Sequence, residues 1–157
     1  MINQATVWVG LALGAQLVGA GPATGGDQIP AGMTEAEYYQ VFQSPTGNIF
    51  CIFLPDQGRF PAGVRCDLKE LTNRPPAPPT CKDLWGDAFS IVDKATVGIR
   101  LCHPASDTLI VGNTFILAYG ATWKVEVMTC TSATSGVTCV NRGGHGFTIS
   151  REAQRLF

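Results

Sequence analysis

The chain has 157 residues with 11 basic and 12 acidic side chains, which leaves room for one domain on a prior of about 150 residues per domain. The net charge of -1 excludes a general binder of the nucleic-acid backbone, because such proteins carry clustered excess Lys and Arg. Charged residues are only 15%, and 18 Gly with 10 Pro are typical of short strands joined by turns.

An apolar run occupies the N-terminus. Ala5 to Ala20 contains no charged residue. The run is shorter than the roughly 20 apolar residues of a membrane span, but it suits the core of a signal peptide, and Val18-Gly19-Ala20 fits the small residues before a cleavage site. We expect residues 1–26 to be a signal peptide, or an apolar segment retained near a membrane or inside an assembly. Residues 27–157 then form the folded domain.

Six cysteines follow this segment: Cys51, Cys66, Cys81, Cys102, Cys130 and Cys139. In an oxidising compartment they predict three disulfides, for which sequence alone allows 15 connectivities. The simplest pairing is sequential, 51 with 66, 81 with 102 and 130 with 139, because each bond then closes a local loop. Zinc fingers place their cysteines in C-x2-4-C pairs, and no two cysteines here are that close. We therefore expect no metal and no other cofactor.

The first half of the domain is predicted to begin with a helix and continue in strands. Thr34 and Glu37 form a capping box that opens a short helix through about Val41. Turn residues then separate two apolar stretches, 48–54 and 63–68, which places Cys51 opposite Cys66 in an antiparallel pair. Residues 74–80 (RPPAPPT) predict an extended polyproline spacer, and 88–93 with 96–102 predict a hairpin.

The second half is predicted to contain more hairpins and a closing helix. Residues 114–119 pair with 122–129 through a turn at Gly120-Ala121. Cys130 and Cys139 flank a turn near Ser135-Gly136, and 147–150 form a last short strand. Ser150 caps a brief helix over 151–157. The fold class is therefore all-β, a small antiparallel sandwich or partly open barrel linked by three disulfides, with short helices at both ends.

The chain resembles a family of small secreted proteins of actinobacteria and their phages, grouped as a domain of unknown function. The resemblance extends over about residues 42–157. It is carried by Ser44-Pro45-Thr46-Gly47-Asn48-Ile49, Cys51, Val64-Arg65-Cys66-Asp67, Trp85-Gly86, Asp107-Thr108, Tyr119-Gly120, Cys130-Thr131-Ser132, Gly136-Val137-Thr138-Cys139 and Gly144-His145-Gly146-Phe147. It implies an extracytoplasmic, disulfide-bearing domain and assigns no activity.

His145 is the first candidate for chemistry, because flanking glycines let a ligand approach its ring and the neighbouring amides. The same glycines also describe a tight turn in which the ring bonds a neighbouring carbonyl. A Ser–His–Asp hydrolase would need a serine near His145 and a carboxylate to orient the ring. The residues available for these roles are Ser44, Ser132 and Ser150, and Asp67, Asp87 and Asp107. No G-x-S-x-G elbow is present.

Binding candidates come from aromatic and basic residues. Five aromatics could stack on sugars or peptide if they share a face, namely Tyr38, Tyr39, Trp85, Tyr119 and Trp123. Trp123 follows a predicted turn and is expected to be exposed. Arg142, Arg151 and Arg155 suggest a mild basic patch that suits anionic envelope polymers. His145, Trp123 and Arg142 are thus the predicted binding residues.

We expect a non-catalytic binding or accessory module of the actinobacterial cell envelope. Its partner would be an envelope component or another protein and not a nucleic acid, with membrane proximity through the N-terminal segment. The first alternative is a structural subunit of a larger assembly, a phage particle or membrane complex, that retains the N-terminal segment. The second is a small secreted hydrolase that uses His145.

Overall fold

Short apolar and β-branched runs, separated by Gly, Pro, Asn and Ser, form eleven strands in the part of the chain that the structure describes. The structure is a computed structural model and describes residues 40–109 and 114–157. The predicted signal peptide and most of the predicted N-terminal helix lie outside these residues. No helix in the described part of the chain has the length and apolar character needed to cross a membrane.

The strands form two sheets. Sheet A contains β1 (Val41–Gln43), β2 (Ile49–Leu54), β3 (Gly63–Leu68), β4 (Leu84–Val92), β5 (Ile99–His103) and β6 (Phe115–Ile116), in the order β5-β4-β3-β2-β1-β6. Sheet B contains β7 (Thr122–Val125), β8 (Met128–Ala133), β9 (Gly136–Val140), β10 (Gly146–Ile149) and β11 (Gln154–Leu156), in the order β11-β10-β9-β8-β7. Strands β1 and β6 are parallel, and the other neighbours are antiparallel. The all-β prediction is confirmed, with two sheets rather than one closed barrel.

The core lies between the two sheets. Side chains alternate along each strand, so that Val64, Cys66 and Leu68 of β3 enter the core while the residues between them face the other side of sheet A. Phe42 of sheet A contacts Trp123 of sheet B with ring centroids 5.0 Å apart. Further along the core, Phe89 lies 6.0 Å from Phe147. These contacts bury the apolar faces of both sheets against each other.

The three disulfides pair as predicted, Cys51 with Cys66, Cys81 with Cys102 and Cys130 with Cys139. The first and third join directly opposite residues of a hairpin. The second joins the chain just before β4 to β5. Every disulfide therefore closes a local loop. Three disulfides in one small domain indicate an oxidising environment.

Two predicted helices need comment. The predicted C-terminal helix over 151–157 is wrong, because β11 (Gln154–Leu156) pairs antiparallel with β10. The Ser150 hydroxyl accepts from the Ala153 amide at 3.1 Å and so closes a turn that returns the chain as a strand. At the other end, Val41 is the first residue of β1, whereas the prediction made it the last residue of a helix. The described helical turn is the short 3-10 segment Ala105–Asp107.

The predicted hairpin of 114–119 with 122–129 is also wrong. Strand β6 pairs with β1, and the Leu117 amide donates to the Gln43 carbonyl at 3.0 Å, so this stretch closes the edge of sheet A. The chain then crosses to sheet B, where β7 pairs with β8. Turn residues 118–121 join the two sheets rather than two strands of one hairpin.

Candidate binding cleft

A cleft of about 300 Å³ opens at one end of the two sheets. Turns from both sheets meet there, so that its walls come from distant parts of the chain. We call it the cleft. Its lining is Ser44, Thr46, Asn48, Ile49, Glu70, Tyr119, Ala133, Thr134, Gly136, Ser150, Arg151 and Glu152. Most of these residues carry hydroxyl, amide, carboxylate or guanidinium groups, so the cleft is lined with hydrogen-bonding side chains.

The β1–β2 turn forms a rigid first wall. The Ser44 amide donates to the Ile49 carbonyl at 2.8 Å, and the Ile49 amide donates back to the Ser44 hydroxyl at 3.1 Å. The Ser44 and Thr46 hydroxyls lie 3.2 Å apart. Gly47 adopts φ of 65°, a left-handed conformation that favours glycine. The turn is therefore held in place by its own hydrogen bonds and presents the Thr46 hydroxyl at its tip.

The second wall joins sheet A to sheet B. The Asn48 side chain accepts from the Glu70 amide at 2.8 Å and donates to the Glu70 carbonyl at 3.1 Å. The Glu70 carboxylate lies 3.0 Å from the Arg151 guanidinium of the β10–β11 turn. The Thr72 amide donates to the Arg151 carbonyl at 2.9 Å. These bonds hold the second wall of the cleft in place.

Three cleft side chains are uncommitted. Among the described residues, the side chains of Tyr119, Thr134 and Glu152 make no hydrogen bond or ion pair. Tyr119 is 44% exposed on a turn whose Gly120 amide donates to the Ser132 carbonyl of β8 at 2.8 Å. The cleft therefore offers a ligand an aromatic face, a hydroxyl and a carboxylate on a fixed frame. Two carboxylates against one guanidinium make it slightly acidic.

The predicted binding residues His145 and Arg142 lie at the opposite end of the same strands. Arg142 donates to both carboxylate oxygens of Asp93, at 2.9 and 3.0 Å, so its charge is already paired. Arg151 is paired with Glu70 in the cleft. The Arg155 guanidinium lies 5.3 Å from the Phe157 ring centroid. The three arginines thus do not form one open basic patch.

The expectation that Trp123 is exposed is wrong. Its side chain is only 6% exposed, and its ring packs against Phe42 in the core. The turn at residues 118–121 does not determine the register in which β7 pairs with β8. Strand β7 turns back at Glu126-Val127, and the pairing of Trp123 with Cys130 directs both side chains inward. Of the five aromatics considered for stacking, Tyr119 lines the cleft. Tyr38 and Tyr39 lie outside the described residues.

His145 is half-buried in the turn between β9 and β10. Its amide donates to the Asn141 side chain at 3.2 Å, and within the described residues its ring makes no hydrogen bond. The alternative turn prediction, a ring bonded to a neighbouring carbonyl, therefore does not describe this arrangement either. The structure brings none of the serines or aspartates considered for a triad into hydrogen-bond contact with the ring. Asp67 and Asp107, for example, both bind Arg65.

The comparisons with known proteins bear on the same residues. A family model described as a family of unknown function, DUF6636, matches residues 28–157. The chain belongs to the DUF6636 family. All eleven described strands, the three disulfides and the cleft lie inside the DUF6636 match. No curated protein and no solved structure gave a significant match.

Sequence reasoning named Tyr119 for stacking, Ser44 and Ser150 as candidate nucleophiles and Arg151 in a basic patch, but it did not bring these residues together in one cleft of this DUF6636 domain. Thr46, Thr134 and Glu152 sit in turns, where hydroxyl and acidic residues are common for local reasons. The signal that would have found them is the meeting of three turns at one end of a sandwich. That meeting requires the strand order, which sequence spacing did not supply.

Proposed function

We propose that the protein is a non-catalytic binding module of the actinobacterial cell envelope, exported to an oxidising compartment, whose cleft holds a hydroxyl-rich saccharide segment. The cleft carries the proposal. A lining of hydroxyl, amide and carboxylate groups beside one exposed aromatic ring matches a sugar, which offers many hydroxyls and an apolar ring face. The three disulfides and the resemblance to secreted actinobacterial proteins support the envelope setting.

The charge of the cleft disfavours acidic ligands. Glu70 is neutralised by Arg151 at 3.0 Å, which leaves Glu152 as the unpaired charge of the lining. A polyanion would meet this carboxylate unfavourably. The cleft therefore suits a neutral or amino-bearing saccharide better than an acidic one.

The test is calorimetric titration of the wild-type protein with glucosamine oligomers that carry free amines, N-acetylglucosamine oligomers, neutral mannose and arabinose oligosaccharides, and heparin as a polyanion. We expect binding of a neutral or amino-sugar oligomer and none of heparin. Tyr119→Ala should raise the Kd of that binding by about 2- to 12-fold, which corresponds to the loss of an aromatic contact of about 0.5–1.5 kcal/mol. Glu152→Gln should also weaken an amino sugar. Arg142→Gln, at the opposite end, is the matched control and should bind like the wild type; equal losses in all three variants would contradict the proposal.

A structural subunit of a larger assembly is the second candidate. Exposed apolar side chains favour it: Phe60 is 68% exposed and Leu54 42% exposed at the β2–β3 loop. Contiguous exposed apolar surface on a soluble protein often marks an interaction site. The intact mass of the protein from its native source separates the two. Loss of residues 1–26 supports the exported module, and a chain that starts at Met1 and elutes within a stable complex supports the assembly.

A further inference from the structure

Two of the three disulfides touch each other in the middle of the core. Cys51–Cys66 links β2 to β3 in sheet A, and Cys130–Cys139 links β8 to β9 in sheet B. The four side chains are at most 2% exposed. The Cys66 and Cys139 sulfurs lie 3.8 Å apart, and the Cys51 sulfur is within 4.8 Å of both. The two bonds are therefore in van der Waals contact across the space between the sheets.

We propose that these two disulfides are an exchange pair: a thiolate freed at either bond attacks the other and forms a Cys66–Cys139 disulfide that joins the two sheets. The attacking species in such a reaction is a thiolate, and its target is a sulfur of an existing disulfide. At 3.8 Å, Cys66 and Cys139 already hold the two reacting sulfurs next to each other. The buried position limits attack by thiols from solvent to local openings of the fold.

The chemical steps balance without an oxidant. A small-molecule thiolate that reaches Cys51 during a local opening forms a mixed disulfide with it, and the bonding pair leaves on Cys66 as a thiolate. The Cys66 thiolate attacks the Cys139 sulfur, the bond to Cys130 breaks, and Cys130 leaves as a thiolate that takes a proton from water. One disulfide forms for each disulfide that breaks.

The product differs from the native state in what it connects. In the native pairing each disulfide stays within one sheet or its flanking loop, so no sulfur bond joins sheet A to sheet B. A Cys66–Cys139 bond would close a loop with a sequence separation of 73, compared with 15 and 9 for the two native bonds. Exchange thus converts two local links into one link between the sheets.

The first experiment uses Cys51→Ala, which leaves Cys66 as a free thiol beside Cys139. The folded variant is incubated at mildly alkaline pH, quenched with acid, alkylated in denaturant without reductant and digested. We expect most of the label on Cys130 and a peptide pair joined through Cys66 and Cys139. Cys130 and Cys139 lie between Lys124 and Arg142 on one tryptic peptide, so tandem mass spectrometry must place the label. A label that stays on Cys66, with Cys130–Cys139 intact, would overturn the proposal.

The matched control is Cys81→Ala. Neither Cys81 nor Cys102 belongs to the hydrophobic core cluster that contains the other four cysteines. The freed Cys102 thiol should therefore keep the label. Migration of the label in this variant at the same rate as in Cys51→Ala would show exchange through unfolded chains and would overturn the role of the core contact.

Wild-type protein provides the decisive measurement if the variants fold poorly. A substoichiometric water-soluble phosphine reduces one disulfide per molecule, and the two-disulfide species are trapped by alkylation and mapped. We expect a species that retains Cys81–Cys102 and contains Cys66–Cys139, with label on Cys51 and Cys130. Two-disulfide species that contain native pairs alone would overturn the proposal.

Discussion

At the scale of single residues, one buried amide holds together the end of the sandwich opposite the cleft. Asn141 is 4% exposed, and its side chain donates to the Val92 and Ala95 carbonyls at 3.1 and 2.8 Å. The same side chain accepts from the Gly143 and His145 amides at 2.9 and 3.2 Å. It therefore connects the β4–β5 turn of sheet A to the β9–β10 turn of sheet B. No other side chain as small as asparagine offers both an NH2 group that donates two hydrogen bonds and a carbonyl oxygen that accepts two.

We predict that Asn141→Ala lowers the free energy of unfolding by about 2–4 kcal/mol, because it removes four hydrogen bonds and leaves the Ala95 carbonyl and the Gly143 and His145 amides without these partners. The Val92 carbonyl keeps the Ala95 amide at 3.2 Å. Urea unfolding at neutral pH measures the change. Arg142→Ala is the control from the same turn; it removes an ion pair whose guanidinium is 62% exposed and should cost less than about 1 kcal/mol. Equal costs for the two variants would contradict this assignment.

A second residue-scale prediction concerns Arg65, which lies on the outer side of sheet A. Its guanidinium contacts the buried Asp67 carboxylate at 2.9 Å and the Asp107 carboxylate at 2.7 Å. The hydrogen bond from Arg65, reinforced by its charge, lowers the pKa of Asp107. A carboxyl with a lowered pKa in the folded state stabilises the fold at neutral pH, and that stability is lost as the pH falls through the folded-state pKa.

We therefore expect Asp107→Asn to lower the free energy of unfolding at pH 7, by less than about 1 kcal/mol because the Asp107 side chain is 58% exposed to solvent. The difference from the wild type should shrink below about pH 4, where the unfolded chain begins to protonate the carboxyl. Denaturant unfolding of both proteins across pH 2.5 to 7 checks the sign. A gap that widens on acidification would rule out the assignment.

The residue scale also shows where sequence reasoning stops. The cysteines and their partners could be predicted, because local loops and an even count leave a simple pairing. Trp123 could not be placed, since its side depends on strand register. Glu126 adopts φ of 48° in the β7–β8 turn, a left-handed conformation that Gly or Asn would have signalled. Without that signal, the sequence predicts the turn at Gly120-Ala121 and an exposed Trp123.

At the scale of elements, the two hairpins whose strands are joined by a disulfide could be predicted. A turn signal alone did not distinguish a hairpin from a crossover, because the turn at Gly120-Ala121 joins the two sheets. The β2–β3 pair follows from the turn residues after Leu54 and the alternation of 63–68, and it occurs with Cys51 opposite Cys66. Strand β6 pairs in parallel with β1, a long way back in the chain, and such a contact leaves no local pattern. The cleft could not be predicted for the same reason, because its walls come from turns of both sheets.

Close approach of strands excludes a side chain at Gly146. A Cβ atom at Gly146 would overlap the Cys139 carbonyl oxygen, a backbone atom that cannot move without breaking the β9–β10 pairing. We predict that Gly146→Ala costs about 3 kcal/mol of stability, or prevents folding. Gly143→Ala is the control and should cost much less, because a Cβ there would meet only side-chain atoms at ordinary or slightly short distances, the His145 ring at 3.2 Å and the Asn141 amide oxygen at 3.3 Å. Thermal unfolding of the two variants should separate them clearly, and similar melting temperatures would argue against the close approach.

At the scale of the whole molecule, the protein has two ends with different roles. One end is closed by Asn141 and by the Arg142–Asp93 pair, so that its polar groups serve the fold. The other end leaves Tyr119, Thr134 and Glu152 facing the cleft. Between them lies a core whose centre is a pair of touching disulfides. This division predicts that substitutions at the closed end change stability, whereas substitutions of the uncommitted cleft residues change binding.

Chemical-shift mapping tests the binding role of the cleft most directly. The intact protein, labelled with ¹⁵N, is titrated with the saccharide that binds best in calorimetry, or with each oligosaccharide in turn at millimolar concentration. We expect shifts at Thr46, Tyr119, Thr134 and Glu152 and unchanged amides in the turn that contains His145. Shifts centred on that turn, or none with any saccharide, would contradict it.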